Sequence, residues 1–234
     1  FFNRELLMSD VYLSLLAIII VFTLTIAIFI SSISSFLIPL AAGSMLISIL
    51  INPLVGVFSS FIMATSVGIM LSNDFIFSLL ALSGALTGVY CTVKVTQRSD
   101  LTKAGGIIGL VNMILIVAME LLSNSSIWLI LTKSSWGLIN GVFSAVLTIG
   151  TLPFLENAFR ITSSVKLLEL SNPNQPLLRK LMVDAPGTYH HSIIVGNLAE
   201  AAAESVGADP LLARVGANYH DIGKLKRPYL FIEN

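Results

Sequence analysis

VYLSLLAIIIVFTLTIAIFI, residues 11–30, contains no charged side chain. As a helix rising about 1.5 Å per residue, this stretch covers about 30 Å, the thickness of a bilayer's hydrocarbon core. It reads as a membrane-crossing helix, and it is one of several. Runs at 36–51, 54–71, 75–93, 104–122 and 136–155 also lack Lys, Arg and Asp, so six transmembrane helices are expected. Asn52-Pro53 separates the second from the third, because proline has no amide donor and restricts the residue before it. A tight helical hairpin is expected there. A cleaved signal peptide fits poorly, since further spans follow residues 11–30 with no clear small-residue cleavage site.

Composition agrees with a membrane protein: 55% of the 234 residues are hydrophobic and 11% charged, against roughly 25% charged in an ordinary soluble domain. Eleven of the 26 Asp, Glu, Lys and Arg residues fall in 1–157 and fifteen in the remaining 77. The chain is therefore divided into a membrane domain at 1–157, a juxtamembrane linker at 158–176 and a polar helical part at 177–234. With residues 1–10 inside, the inner segments carry Arg4, Lys94, Arg98, Lys103, Arg160 and Lys166, and the outer loops only Lys133. Basic residues in short loops are retained on the cytoplasmic side, which places both termini in the cytoplasm.

Little in the spans points to transport. Glu120 is the one ionisable residue inside a run, near the run's end, and reads as a carboxylate reaching interfacial water. Asn112 and Asn140 suit hydrogen bonds between helices, while the pairs Gly84/Gly88 and Gly105/Gly109 suit close helix approach. Cys91, the single cysteine, excludes an internal disulfide and reads as a small buried hydrophobe.

Beyond the last span, Asn172-Pro173 and Gln175-Pro176 separate two short helical patterns, one carrying Val165 and Leu168, the other Leu177, Leu178, Leu181 and Met182. Ala185-Pro186-Gly187 ends the second, and Thr188 is a fair cap for a helix running to about Val206. On it Ile194, Val195, Leu198 and Ala202 share a face with His191, whereas His190 is rotated about 100° away. His191 is expected to point inward. Gly207 stops that helix, and Asp209-Pro210 starts the next, whose small-residue face of Ala213, Gly216 and Ala217 carries His220 inward with Asp221 after it. Gly223 is expected to let the chain turn. Two histidines and a carboxylate on adjacent helices form a candidate metal site, the kind that lowers the pKa of bound water and neutralises phosphate oxygens. The basic cluster Lys224, Lys226 and Arg227 favours phosphate handling there.

The motifs PGTYHHS (186–192) and YHDIGKLKRP (219–228), with IPLAAGSMLISIL and RSDLTKAGGIIGLVN in the apolar part, resemble the seven-transmembrane HD-domain phosphodiesterases, the PgpH-like bacterial family. The resemblance covers nearly the whole chain. It implies an all-α protein, a polytopic membrane domain followed by the first helices of a cytoplasmic HD domain, that hydrolyses cyclic di-AMP to pApA at two divalent ions, iron or manganese. His191, His220 and Asp221 match the family's metal ligands, Asp221 as the bridging one, and Lys224 matches a lysine suited to phosphate. The implied partners are cyclic di-AMP and the lipid bilayer, with no nucleic acid polymer, and a homodimer left open. The chain is expected to be a fragment without the extracytoplasmic domain, one upstream helix and most of the HD domain. The family's later ligands (a histidine, a His-His pair and an aspartate) lack counterparts, so this chain alone is expected to be inactive. A non-enzymatic membrane receptor or interaction protein with a remnant HD segment is the alternative, and a transporter ranks last.

Overall fold

The computed structural model describes residues 10–71, 75–93, 95 and 97–234; Arg4 and Lys94, counted for orientation, lie outside them. The described residues form helices and connecting turns without strands, in two compact units, 1–161 and 162–234.

The first unit contains α1 (Asp10–Ser31), α2 (Leu40–Leu50), α3 (Pro53–Met70), α4 (Phe75–Thr92), α5 (Arg98–Leu122) and α6 (Ile127–Phe159). Among the described residues, five helices are long and apolar enough to cross a membrane: all of these except α2. The second expected span, 36–51, is instead a 3-10 turn (Ser35–Leu37), a short non-helical link and the 11-residue α2. Pro39 sets where the regular helix begins. At about 1.5 Å per residue α2 is about 16 Å long, too short to span alone. Nearly every residue of α2 is buried, among α1, α3, α4 and α6. A helix enclosed by protein has the same composition as a lipid-facing one, and so the sequence did not separate the two.

The hairpin at Asn52-Pro53 forms as the residues dictate, with Asn52 Oδ1 accepting from the Leu54 amide at 2.8 Å and Pro53 in the first turn. Two helices begin earlier than their apolar runs. α5 starts at Arg98 on a capping box between Gln97 and Asp100, and α6 starts at Ile127, nine residues before the run at 136–155. Glu120 is a correction: it is buried, accepting from Lys133 at 2.8 Å and Ser125 at 2.7 Å rather than facing water. Outward-facing Val21, Phe29, Phe58, Ile69 and Trp128 give the bundle an apolar exterior suited to lipid.

α5 and α6 make the most extensive helix contact. Gly105 and Gly109 lie in it as expected, opposite a second pair, Gly137 and Gly141, that the sequence reading passed over. Asn112 reaches Asn140 at 3.4 Å, and together they line a cavity of about 20 Å³, room for one water molecule. Asn140 also donates to the Phe36 carbonyl (3.0 Å) and the Ile38 carbonyl (2.7 Å), pairing acceptors that the break before α2 leaves without helical partners. Asn140→Leu leaves the Phe36 oxygen without its donor, while the Ile38 oxygen keeps the Leu40 amide at 2.9 Å, and it is expected to destabilise by about 1–3 kcal/mol. Asn112→Leu, which removes only a long contact, should cost under about half as much. Thermal unfolding of both variants in detergent checks the order.

The second unit contains α7 (Ser164–Ser171), α8 (Pro176–Asp184), α9 (Pro186–Ser205) and α10 (Pro210–Tyr219), then 3-10 turns at Ile222–Lys226 and Pro228–Leu230. Val165, Leu167, Leu178, Leu181, Ala185, Ala203 and Val215 form its core. Tyr219 anchors α10 to α7 by donating to the Leu170 carbonyl at 2.8 Å, and burial raises its phenol pKa.

Candidate metal centre

α9 begins at Pro186, two residues before the expected cap, so Thr188 is inside the first turn rather than ahead of it. α9 ends at Ser205, with Gly207 in the left-handed region at φ 71°. Asp209 caps α10, its carboxylate accepting from the Leu212 amide at 3.0 Å, with Pro210 in the first turn. Gly223 lies within the 3-10 turn at an ordinary φ, and glycine is not required there.

The expected inward faces require correction. Ile194 and Leu198, which share His191's face, are 60% and 67% exposed, and both His191 and His220 are exposed. Gly216, on the expected small-residue face of α10, is likewise open, with nothing near the position of a Cβ. The face of α9 that is buried is another stripe, Thr188, Ser192, Gly196 and Ala203, and Gly196 meets α10 at Asn218. A Cβ on Gly196 would lie 2.6 Å from Asn218 Oδ1, so this glycine sets the approach of the two helices. The S-x-x-x-G spacing of Ser192 and Gly196 was present in the sequence and was outweighed by the hydrophobic pattern beside it.

That close approach brings the histidines together. The rings of His191 and His220 have centroids 5.5 Å apart, and ligand atoms of His191, His220 and Asp221 all lie within 4.8 Å of one another. His190 is outside this group. The Nδ1 of His220 faces the Ala217 carbonyl oxygen at 2.7 Å, a contact that assigns the proton to Nδ1 and leaves the Nε2 lone pair available as a ligand. Nε2 is 3.3 Å from Asp221 Oδ2. Lys224 Nζ donates to Asp221 Oδ2 and to Glu233 Oε1, both at 2.8 Å. The hydrogen bond from Lys224 holds the Asp221 carboxyl below its ordinary range, and the same pair raises the Lys224 ammonium. Glu233 is lowered for the same reason. Lys226 and Arg227 are exposed, so the basic cluster divides into one lysine at the carboxylates and two cations in solvent.

Two nitrogens and a carboxylate within 4.8 Å fit one divalent ion, with coordination positions to spare. A two-ion centre needs more donors than these three. Glu233 and Asn234 were missed by the sequence reading, being more than forty residues from the Thr188 they touch.

A family profile described as "7TM receptor with intracellular HD hydrolase" matches residues 1–163. The chain belongs to that family. A second profile, the HD domain, matches residues 188–232, which include every member of the histidine-aspartate cluster. Two similar curated relatives are the cyclic-di-AMP phosphodiesterases PgpH of Bacillus subtilis, 42% identical over 207 residues, and of Listeria monocytogenes, 40% identical over 205. These alignments cover 85% and 86% of the chain but only 29% and 28% of the relatives. No solved structure matches the chain. Membership of this family and the five long apolar helices make the protein a multi-pass membrane protein.

Proposed function

We propose that this chain supplies the membrane bundle and the first metal ligands of a phosphodiesterase that hydrolyses cyclic di-AMP to pApA. The observation that carries this reading is the convergence of His191, His220 and Asp221 on one point within an HD match. Their nitrogen and oxygen donors, without thiolate, suit Mn2+ or Fe2+. An ion held there would supply Lewis-acid charge at a phosphoryl oxygen and acidify a water molecule. The chain's own residues do the rest. Ala217 orients the His220 ring, Lys224 keeps Asp221 ionised, and the Lys224 ammonium is a point charge suited to a non-bridging phosphate oxygen. Asp221 is assigned the ligand role that two ions share. Turnover at two ions needs donors beyond these three, which hold one ion and leave coordination positions open.

Orientation belongs to the same proposal. Arg98, Lys103, Arg160 and Lys166 support a cytoplasmic side for the ends of α4 and α6, with the segment 35–50 crossing as a broken helix whose Phe36 and Ile38 carbonyls accept from Asn140. The test is Mn2+-dependent hydrolysis of cyclic di-AMP by the full-length natural protein. His191→Ala is expected to lower kcat/KM on the order of a hundredfold or more, while His190→Ala stays within about threefold. Equal activity of wild type and His191→Ala overturns the assignment, and metal binding without turnover supports a receptor instead.

A further inference from the structure

We infer that Glu233 is a positioning residue that shares Lys224 with Asp221 and so leaves Asp221 free to take a cation; the inference rests on the metal-site reading above. Lys224 Nζ stands 2.8 Å from Asp221 Oδ2, where its positive charge opposes any cation approaching the same oxygen. Glu233 Oε1, also at 2.8 Å, offers the ammonium a second charged acceptor. When a cation binds Asp221, Lys224 keeps one full-strength hydrogen bond by turning to Glu233. The ring of Phe231, 4.9 Å from Nζ, adds a cation–π contact to the same ammonium.

Glu233 is itself fixed to the helix that carries His191. Asn234 Oδ1 accepts from the Thr188 amide at 2.9 Å, and Asn234 Nδ2 donates to Thr188 Oγ1 at 2.9 Å. Thr188 Oγ1 in turn donates to Glu233 Oε1 at 3.5 Å. Thr188 is fully buried, one turn before His191. The backbone of Glu233 passes directly over Gly187, in space that any side chain there would fill. PGT at the start of α9 is therefore the seat for Glu233 and Asn234, and it sets their register against the histidine one turn on.

Mn2+ affinity, measured on the full chain in detergent by the electron spin resonance of free Mn2+, tests the inference. Glu233→Gln keeps the size and the contact to Thr188 but gives Lys224 only Asp221 as a charged partner. It is expected to weaken Mn2+ binding about tenfold. In a Lys224→Met background the same change is expected to have less than about a twofold effect, because no ammonium remains to be shared. An equal loss in both backgrounds means that Glu233 acts on the ion directly or by long-range charge, and no loss in the wild-type background means that it does not act; either overturns the positioning role. Wild-type affinity in His220→Ala would instead sink the metal-site reading itself, independently of Glu233.

Discussion

Gly141→Leu is expected to unfold the membrane unit in detergent at temperatures where the wild type is intact. The reason is backbone contact: a Cβ at 141 would overlap the carbonyl oxygen of Gly105 and the amide nitrogen of Gly109, and lie 2.6 Å from Gly109 Cα. None of those atoms is the end of a flexible side chain, so relief requires α5 and α6 to separate. Separation also removes the seats of Gly109 against Leu138 and of Gly137 against Ile116. Such a change belongs with the exceptional losses above about 4 kcal/mol. Gly106 and Gly150, in the same two helices, have nothing near the position of a Cβ. Alanine at either is expected to be neutral or to stabilise by up to about 1 kcal/mol, since glycine costs a helix interior that much. Thermal unfolding of the three variants decides the matter. Similar midpoints for Gly141→Leu and Gly106→Ala would show that the two helices do not meet along their glycines.

The contrast between these glycines was only half legible in the sequence. Gly105/Gly109 is visible as a spacing, but which face each glycine presents depends on the partner helix, and Gly137/Gly141 gains its meaning only opposite it. Long apolar runs were readable because a bilayer asks chiefly for length, and α1, α3 and α4 follow those runs to within a residue or so. α2 was not, because enclosure by protein and exposure to lipid select the same side chains. In the second unit the punctuation was local and strong, with Pro176, Asp209-Pro210 and Gly207 all at helix boundaries.

The candidate site was legible in its residues and not in its surroundings. His191, His220 and Asp221 converge, yet on an exposed face, because small side chains at Thr188, Ser192 and Gly196 bury the neighbouring stripe. An apolar periodicity finds the face with the larger side chains; close helix approach selects the one with the smaller. Glu233 and Asn234 carried no signal at all, having neither periodicity nor a short-range partner.

Asp221→Asn is expected to weaken Mn2+ binding by about a hundredfold while leaving the fold in place. The amide matches the carboxylate in size, and what it removes is the negative charge of the proposed site. Structural zinc sites with four ligands bind with apparent free energies of about 10–16 kcal/mol, or about 3 kcal/mol per ligand, which corresponds to a factor of roughly 150. Lys224 keeps Glu233 as its acceptor in the variant, so the 3-10 turn retains its tie to α9. The variant should also differ from wild type in acid. Because the native Asp221 carboxyl is held below its ordinary range, first by the Lys224 hydrogen bond, its contribution to stability is present above the unfolded-state pKa and is lost as pH falls through the lowered native value. Asparagine has no such titration, so the stability of Asp221→Asn should fall less on acidification than that of wild type. Calorimetric unfolding across the acid range and Mn2+ titration at neutral pH read the two effects separately. Parallel acid profiles would mean that Lys224 does not stabilise the carboxylate, and undiminished Mn2+ affinity would remove Asp221 from the ligand set, leaving two histidines too few to define the centre.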